Sequence, residues 1–157
     1  MQAFKFIIAL TIFSSFSYGN PVETGHAKVS LVKFDTSLSA KNELFIGIKM
    51  DMQKNWHTYW KNPGDSGGPI KVIWNLPENV TIEGPLWPTP ELLPYPPLMT
   101  YGYKDFVIFP YKVSYADSSN LTFIEADIDF LICDDVCVPE KANISSTFNS
   151  LQPSERF

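Results

Sequence analysis

The chain has 157 residues, of which 45% are hydrophobic and 18% charged, with a net charge of −5. That is an ordinary globular composition with room for one domain, and it excludes a disordered chain. Aromatic residues reach 15% beside 13 prolines, which argues against a helical bundle, because an interior proline costs a helix about 3 kcal/mol. No Lys/Arg-rich block is present, so a nucleic-acid partner is not expected.

The first residues read as an export signal. Lys5 is the only charge before an apolar run from Phe6 to Phe13, and a polar stretch to Gly19 follows with small residues at Ser17 and Gly19. This pattern predicts a signal peptide over residues 1–19 and a single exported domain over 20–157. The apolar run is shorter than the roughly 20 residues a membrane span needs. No later segment is long and apolar enough, so no direct membrane span is expected after cleavage.

The exported part reads as short alternating strands. Ala27 to Phe34 is the first. Leu44, Ile46, Ile48, Met50 and Met52 then alternate against Lys49 and Asp51, which is the period of a half-buried strand. Ile70, Val72 and Trp74 alternate next. The stretch Pro85 to Gly102, with Trp87-Pro88-Thr89-Pro90 and Pro94-Tyr95-Pro96-Pro97, is too rich in proline for a central strand and predicts a long, ordered loop. Val107, Phe109, Tyr111 and Val113 mark another strand. Ile124, Ala126, Ile128, Phe130 and Ile132 alternate against Glu125, Asp127 and Asp129; continued, this puts Cys133 on the outer face. Asn143 to Phe148 is the last candidate. Some seven strands without any 3.6-residue stripe predict an all-β fold, an immunoglobulin-like antiparallel β-sandwich.

The only two cysteines stand in Cys133-Asp134-Asp135-Val136-Cys137. Four residues of extended strand span about 13 Å, whereas a disulfide needs Cα atoms within about 7 Å. A bridge therefore requires a turn between the cysteines, and Asp134 and Asp135 suit one. A loop of five residues yields only about 2 kcal/mol of chain-entropy stabilisation, against about 4.7 kcal/mol for a 100-residue loop. That favours a redox pair over a staple without excluding the staple. The two aspartates disfavour a thiolate, and no Lys, Arg or His stands beside the pair in sequence to favour it. The expectation is a disulfide that stays oxidised until a specific thiolate attacks it. A soft ion such as Cu(I), held with Met50, Met52, Met99 or His57, is the rival chemistry. A four-ligand zinc site is not expected, and neither is any other metal or cofactor.

The segment from Trp56 through Gly68 is dense in aromatics and glycines. It reads as packing and turns, because no phosphate-loop or nucleophile-elbow pattern accompanies it. His57 reads as structural.

Four segments in order then carry a resemblance: Trp56-His57-Thr58-Tyr59-Trp60-Lys61-Asn62-Pro63-Gly64-Asp65-Ser66-Gly67, Trp87-Pro88-Thr89-Pro90-Glu91, Tyr101-Gly102-Tyr103-Lys104, and Cys133 through Pro139. Together they resemble the amino-terminal periplasmic domain of the DsbD family of thiol:disulfide interchange proteins, especially its ScsB branch. The resemblance implies a periplasmic sandwich with a redox-active pair at Cys133 and Cys137. It implies that Cys137 forms the mixed disulfide with partners, that Cys133 resolves it, and that Tyr101 belongs to a cap over the pair. The implied partners are thioredoxin-like periplasmic proteins. Family members usually continue into a membrane domain and a thioredoxin-like domain, so the chain is expected to be a separately encoded partner of a membrane electron carrier, a fragment of a longer protein, or a domain that has lost the circuit. A non-enzymatic binding module with a structural bridge and a copper-handling protein are the competing readings.

Overall fold

The computed structural model describes residues 20–34 and 39–154; the export-signal reading falls on residues 1–19 and lies outside them. The described chain is built almost wholly of strands: β1 (Val22–Glu23), β2 (Ala27–Lys33), β3 (Glu43–Met52), β4 (His57–Gly64), β5 (Lys71–Asn75), β6 (Val80–Glu83), β7 (Glu91–Tyr95), β8 (Leu98–Lys104), β9 (Phe106–Tyr115), β10 (Phe123–Cys133), β11 (Cys137–Thr147) and β12 (Gln152–Pro153). Single 3₁₀ turns at Ser118–Asn120 and Phe148–Ser150 complete it.

The strands form two sheets. One has the order β1-β2-β3-β9-β6, with β12 paired in parallel to β2. The other has the order β11-β10-β4-β8-β7, with β5 also paired to β10. All the other pairings between these strands are antiparallel, which makes an immunoglobulin-like β-sandwich, as the alternation predicts. The predicted inward residues are the ones that meet. Ile46, Ile48, Met50, Phe109 and Val113 of the first sheet and Ile124, Ala126, Ile132 and Ile144 of the second are completely buried. Their alternation with polar residues puts one apolar face of each sheet against the other.

Two predicted boundaries change. The proline-rich stretch is not one long loop: after the irregular residues 85–90 it forms the β7–β8 hairpin. Proline is accommodated because β7 is an edge strand, where a missing N–H faces no neighbour on one side. The last strand also starts earlier than expected, at Cys137, so that β10 and β11 pair over eleven consecutive positions from Phe123↔Thr147 to Cys133↔Cys137.

The chain crosses between the sheets twice at one end, from β3 to β4 and from β8 to β9. Asn55 and Asp105 take left-handed conformations there, with φ of 73° and 62°, which Asn and Asp tolerate better than bulkier residues. The two crossings are tied together. Asp105 donates its N–H to the Trp56 carbonyl at 3.0 Å and accepts the Met52 N–H at 2.7 Å. Its carboxylate accepts the Asn55 N–H at 2.9 Å. This knot fixes where β4 and β8 begin and end.

β4 and β8 approach so closely that a Cβ on Gly102 would lie 2.1 Å from the Thr58 carbonyl oxygen. Replacing Gly102 with Ala is expected to cost about 1–3 kcal/mol by overpacking. A urea titration should show a lower midpoint with an unchanged slope.

Candidate functional site

The last rung of the β10–β11 ladder is Cys133 opposite Cys137. Asp134, Asp135 and Val136 make the turn, closed by a 3.1 Å hydrogen bond from the Asp134 N–H to the Val136 carbonyl. The cysteines are joined as a disulfide with an S–S distance of 2.08 Å and Cα atoms 4.1 Å apart. The turn thus removes the separation that an extended Cys-x-x-x-Cys would have.

The two sulfurs sit in different surroundings. Cys137 is exposed at the mouth of the turn, whereas Cys133 is only 1% exposed. The alternation of β10 does predict the face of Cys133, but that face is not open to solvent here. Tyr59, from β4, covers it: the phenol donates a hydrogen bond to Cys133 Sγ at 3.0 Å and lies 3.5 Å from Cys137 Sγ. Tyr59 is itself 2% exposed. The loop after β4 lies so close over its ring that a Cβ on Gly67, where φ is +90°, would come within 2.3 Å. Only glycine combines that backbone conformation with that approach.

Three pairings define a row across the sheet. Cys137 faces Cys133, Cys133 faces His57, and His57 faces Lys104. Directly opposed residues project to the same side with Cβ atoms about 4.5–5.5 Å apart. All four accordingly line one hollow of about 360 Å³ with Asp134, Asp135, Tyr59 and Ser66. Its far wall is the apolar inner side of the β7–β8 hairpin: Leu93, Pro94, Tyr95 and Leu98. Val136 and Tyr95, beside the mouth, are 63% and 60% exposed. The His57 ring stands edge-on to Tyr59, with centroids 5.3 Å apart.

Burial sets the protonation of these groups. It holds the His57 pKa below its ordinary value; Asp134 opposes this and Lys104 adds to it. Burial pushes the Tyr59 pKa up, against a hydrogen bond with Ser66, so the phenol keeps its proton at neutral pH and remains a donor toward sulfur.

Tyr101 is not brought to this hollow. Alternate residues of β8 face opposite ways: Leu98, Thr100 and Lys104 line the hollow, while the Tyr101 ring stands edge-on to Trp60 on the other side, with centroids 6.5 Å apart. Sequence reasoning does not assign Tyr59 or Lys104 to the site, and it weighs His57 only as a copper ligand while reading it as structural. His57 and Tyr59 share a face by their two-residue spacing, but only the pairing of β4 with β10 shows that this face holds the cysteines. Of the residues weighed for copper, Met50 and Met52 are buried in the core. Among the described residues no three or more His, Cys, Asp or Glu side chains are grouped to hold a metal. A larger hollow of about 590 Å³ lies on the other sheet beside Lys28, Lys49 and Asp51 and is lined by neither cysteine nor histidine.

Behind the site stands a buttress. The Glu140 side chain, 7% exposed, lies three residues past Cys137 and bonds His26 Nδ1 at 2.5 Å. It also accepts the His26 backbone N–H at 3.3 Å. The His26 ring stacks on Trp56 at 3.7 Å, next to His57. Burial alone would raise the Glu140 pKa, but hydrogen bonds from Thr24 and His26, with the charge of His26, outweigh it and the net shift is downward.

Comparison with known proteins places these features. The family model for the N-terminal part of the thiol:disulfide interchange protein DsbD matches residues 28–149. The crystal structure of the N-terminal periplasmic domain of ScsB from Proteus mirabilis superposes with a TM-score of 0.61 at 22% identity, over 82% of this chain and 49% of that one. The chain thus spans about half the length of that structure, and at this identity the likeness is one of fold. The GAE domain of yeast GGA1 aligns over 80% of this chain and 95% of its own at 15% identity, with a TM-score of 0.41, too loosely to carry an argument. Comparison with curated protein sequences gives no match.

The lowered Glu140 pKa gives a signed expectation. Its stabilisation is complete above the ordinary carboxyl range near about 4.3 and is lost as pH falls through the lower folded value. Glu140→Gln should be less stable at neutral pH by about 1.5–3 kcal/mol, the range for hydrogen bonds to a charged group. It should also lose less on acidification, as chemical unfolding across that pH range will measure.

Proposed function

The chain belongs to the family of DsbD amino-terminal domains, and from that premise we propose that Cys133–Cys137 is a working redox pair exchanging with thioredoxin-like proteins in the periplasm. Residues 1–19 serve as the export signal. The domain is one component of a protein-disulfide reductase system, with its electrons drawn from a membrane carrier. The observation that carries this reading is the asymmetry of the bridge, an exposed Cys137 joined to a buried Cys133 that accepts a hydrogen bond from Tyr59.

The chemistry follows from that asymmetry. A donor thiolate reaches Cys137 Sγ, forms a mixed disulfide and expels Cys133 as thiolate. The Tyr59 hydroxyl stabilises that thiolate, since a hydrogen bond to the charged form favours it. The donor's second thiolate attacks its own sulfur of the mixed disulfide and releases Cys137. Two electrons have then moved to the domain, and the donor holds the new disulfide. Delivery runs in reverse: Cys137 thiolate attacks an oxidised partner, and Cys133 attacks Cys137 Sγ to free the reduced partner.

The β7–β8 hairpin acts as the cap. Leu93, Pro94, Tyr95 and Leu98 shield the sulfurs from adventitious thiols, and Tyr101, set against Trp60, stiffens the hairpin from behind. The exposed Val136 and Tyr95 offer a partner apolar contact at the mouth.

Cys133→Ala is expected to accumulate mixed disulfides through Cys137 with thioredoxin-like proteins of a periplasmic extract, and Cys137→Ala to accumulate none. Non-reducing electrophoresis reads both, and a Cys133→Ala variant that traps nothing refutes the exchange reading. A redox titration should place the pair above about −300 mV, the level below which structural disulfides lie. Tyr59→Phe should slow reduction by a model dithiol roughly tenfold, the kinetic equivalent of about 1.4 kcal/mol, in a stopped-flow measurement.

A further inference from the structure

We infer that His57 is the proton acceptor of the redox step: when the Cys133–Cys137 bond is reduced, Cys133 remains a thiolate and the imidazole of His57 becomes its cationic partner. This rests on the reading of the pair as reducible and adds to it where one of the two protons goes.

The cross-strand row carries the inference. His57 is the only residue of β4 in register with β10, and the residue opposite it is Cys133. Both line the same hollow. A thiolate released at Cys133 would be almost completely buried, and a buried charge persists only when it is hydrogen-bonded and paired. The hydrogen bond is already in place from Tyr59. The pairing charge must come from the groups that face the position. From the turn these are Asp134 and Asp135, from β8 Lys104, from β7 Tyr95, and from β4 Tyr59 and His57. The aspartates have the wrong sign, the two tyrosines bring only hydroxyl dipoles, and Lys104 stands one strand further away, beyond His57. The imidazole is the one adjacent group that can become a cation.

In the oxidised protein burial keeps the ring neutral, and Lys104 assists. Reduction changes the balance, because an opposite charge within about 4–6 Å raises the affinity for a proton by about 1–3 pH units. Asp134 acts in the same direction on the ring. The reaction then balances. A dithiol reductant forms its own S–S bond and supplies two electrons and two protons, and the Cys133–Cys137 bond breaks. One proton goes to Cys137 Sγ and the other to a ring nitrogen of His57. In the delivery direction Cys137 loses its proton as it attacks the oxidised partner, the ring loses its own as Cys133 closes the disulfide, and both protons leave with the reduced partner's dithiol.

The test is an NMR titration of the His57 ring in the oxidised protein and in the dithiol-reduced protein, with His57→Gln used to assign its signal. The expected result is a rise of the His57 midpoint by about 1–3 pH units on reduction. The ultraviolet thiolate absorbance of the reduced protein at neutral pH should fall in His57→Gln. A His57 midpoint that is the same in both states, in a protein whose pair still reduces reversibly and traps partners, overturns the inference and leaves the exchange reading standing. A disulfide that a dithiol cannot open in the folded protein removes both.

Discussion

The register of one hairpin governs the site. Eleven consecutive pairs hold β10 against β11, and they bring the ladder to its end with Cys133 opposite Cys137. A slip of one residue would send every side chain of β10 to the other face, setting Glu125, Asp127 and Asp129 into the core in place of Ile124, Ala126 and Ile128. The core therefore enforces the pairing of the sulfurs. The sandwich interior and the disulfide share one constraint, because the apolar alternation that buries β10 also fixes which residue ends it.

From that rung the site extends sideways. β10 meets β4 at a single register position, and β4 meets β8 beside the knot at Asp105 and Asn55. Residues from four strands, remote in sequence, thereby share one row with fixed spacing. The components of this row come from regular strands, which position side chains more rigidly than loops do. The other elements at the site are of another kind: the edge hairpin β7–β8, which forms the far wall of the hollow, and the glycine loop over Tyr59. Edge hairpins and loops carry fewer supporting contacts, and motions that admit a partner are drawn from such elements. Division between a rigid row and an outlying wall leaves the sulfurs firmly positioned whatever the hairpin does.

Much of this was legible in the sequence, and the physical reason is periodicity. Period-two alternation identified the inward faces of β3, β9 and β10 because each is buried on one side only, and a half-buried strand writes its orientation into its residues. The turn between the cysteines followed from reach and from Asp134 and Asp135. The β7–β8 hairpin was hidden because Pro94 and the Pro96-Pro97 tip mimic a loop, and an edge strand tolerates what a central one does not. Cys133 was placed on the right face but in the wrong environment. Alternation reports direction within a strand and says nothing of what another strand lays on top, here Tyr59. That His57 and Lys104 stand beside the cysteines stayed invisible for the same reason. Their significance lies in the β10–β4–β8 pairing, which joins positions from distant parts of the chain, and no local pattern encodes it. Tyr101 was assigned to the cap by resemblance, and the two-residue period of β8 turns it to the side of Trp60.

The proposed exchange requires a domain that remains folded with its disulfide open, and the energetics of this one permit it. The bridge closes a loop of about five residues, for which chain entropy gives only about 2 kcal/mol, against the 5–15 kcal/mol of a typical domain. The hairpin it closes is held independently by ten further ladder pairs and by buried Ile124, Ile128, Ile132 and Ile144. Opening the bond leaves those contacts intact. A bridge spanning the two sheets would stabilise more, and for that reason its reduction would also disturb more. The small ring therefore suits a bond made to be broken: it contributes little to the fold, its exposed sulfur can be reached, and its buried sulfur has a hydrogen-bond donor waiting. The weakness that makes Cys133–Cys137 a poor staple is what separates its chemistry from the stability of the sandwich.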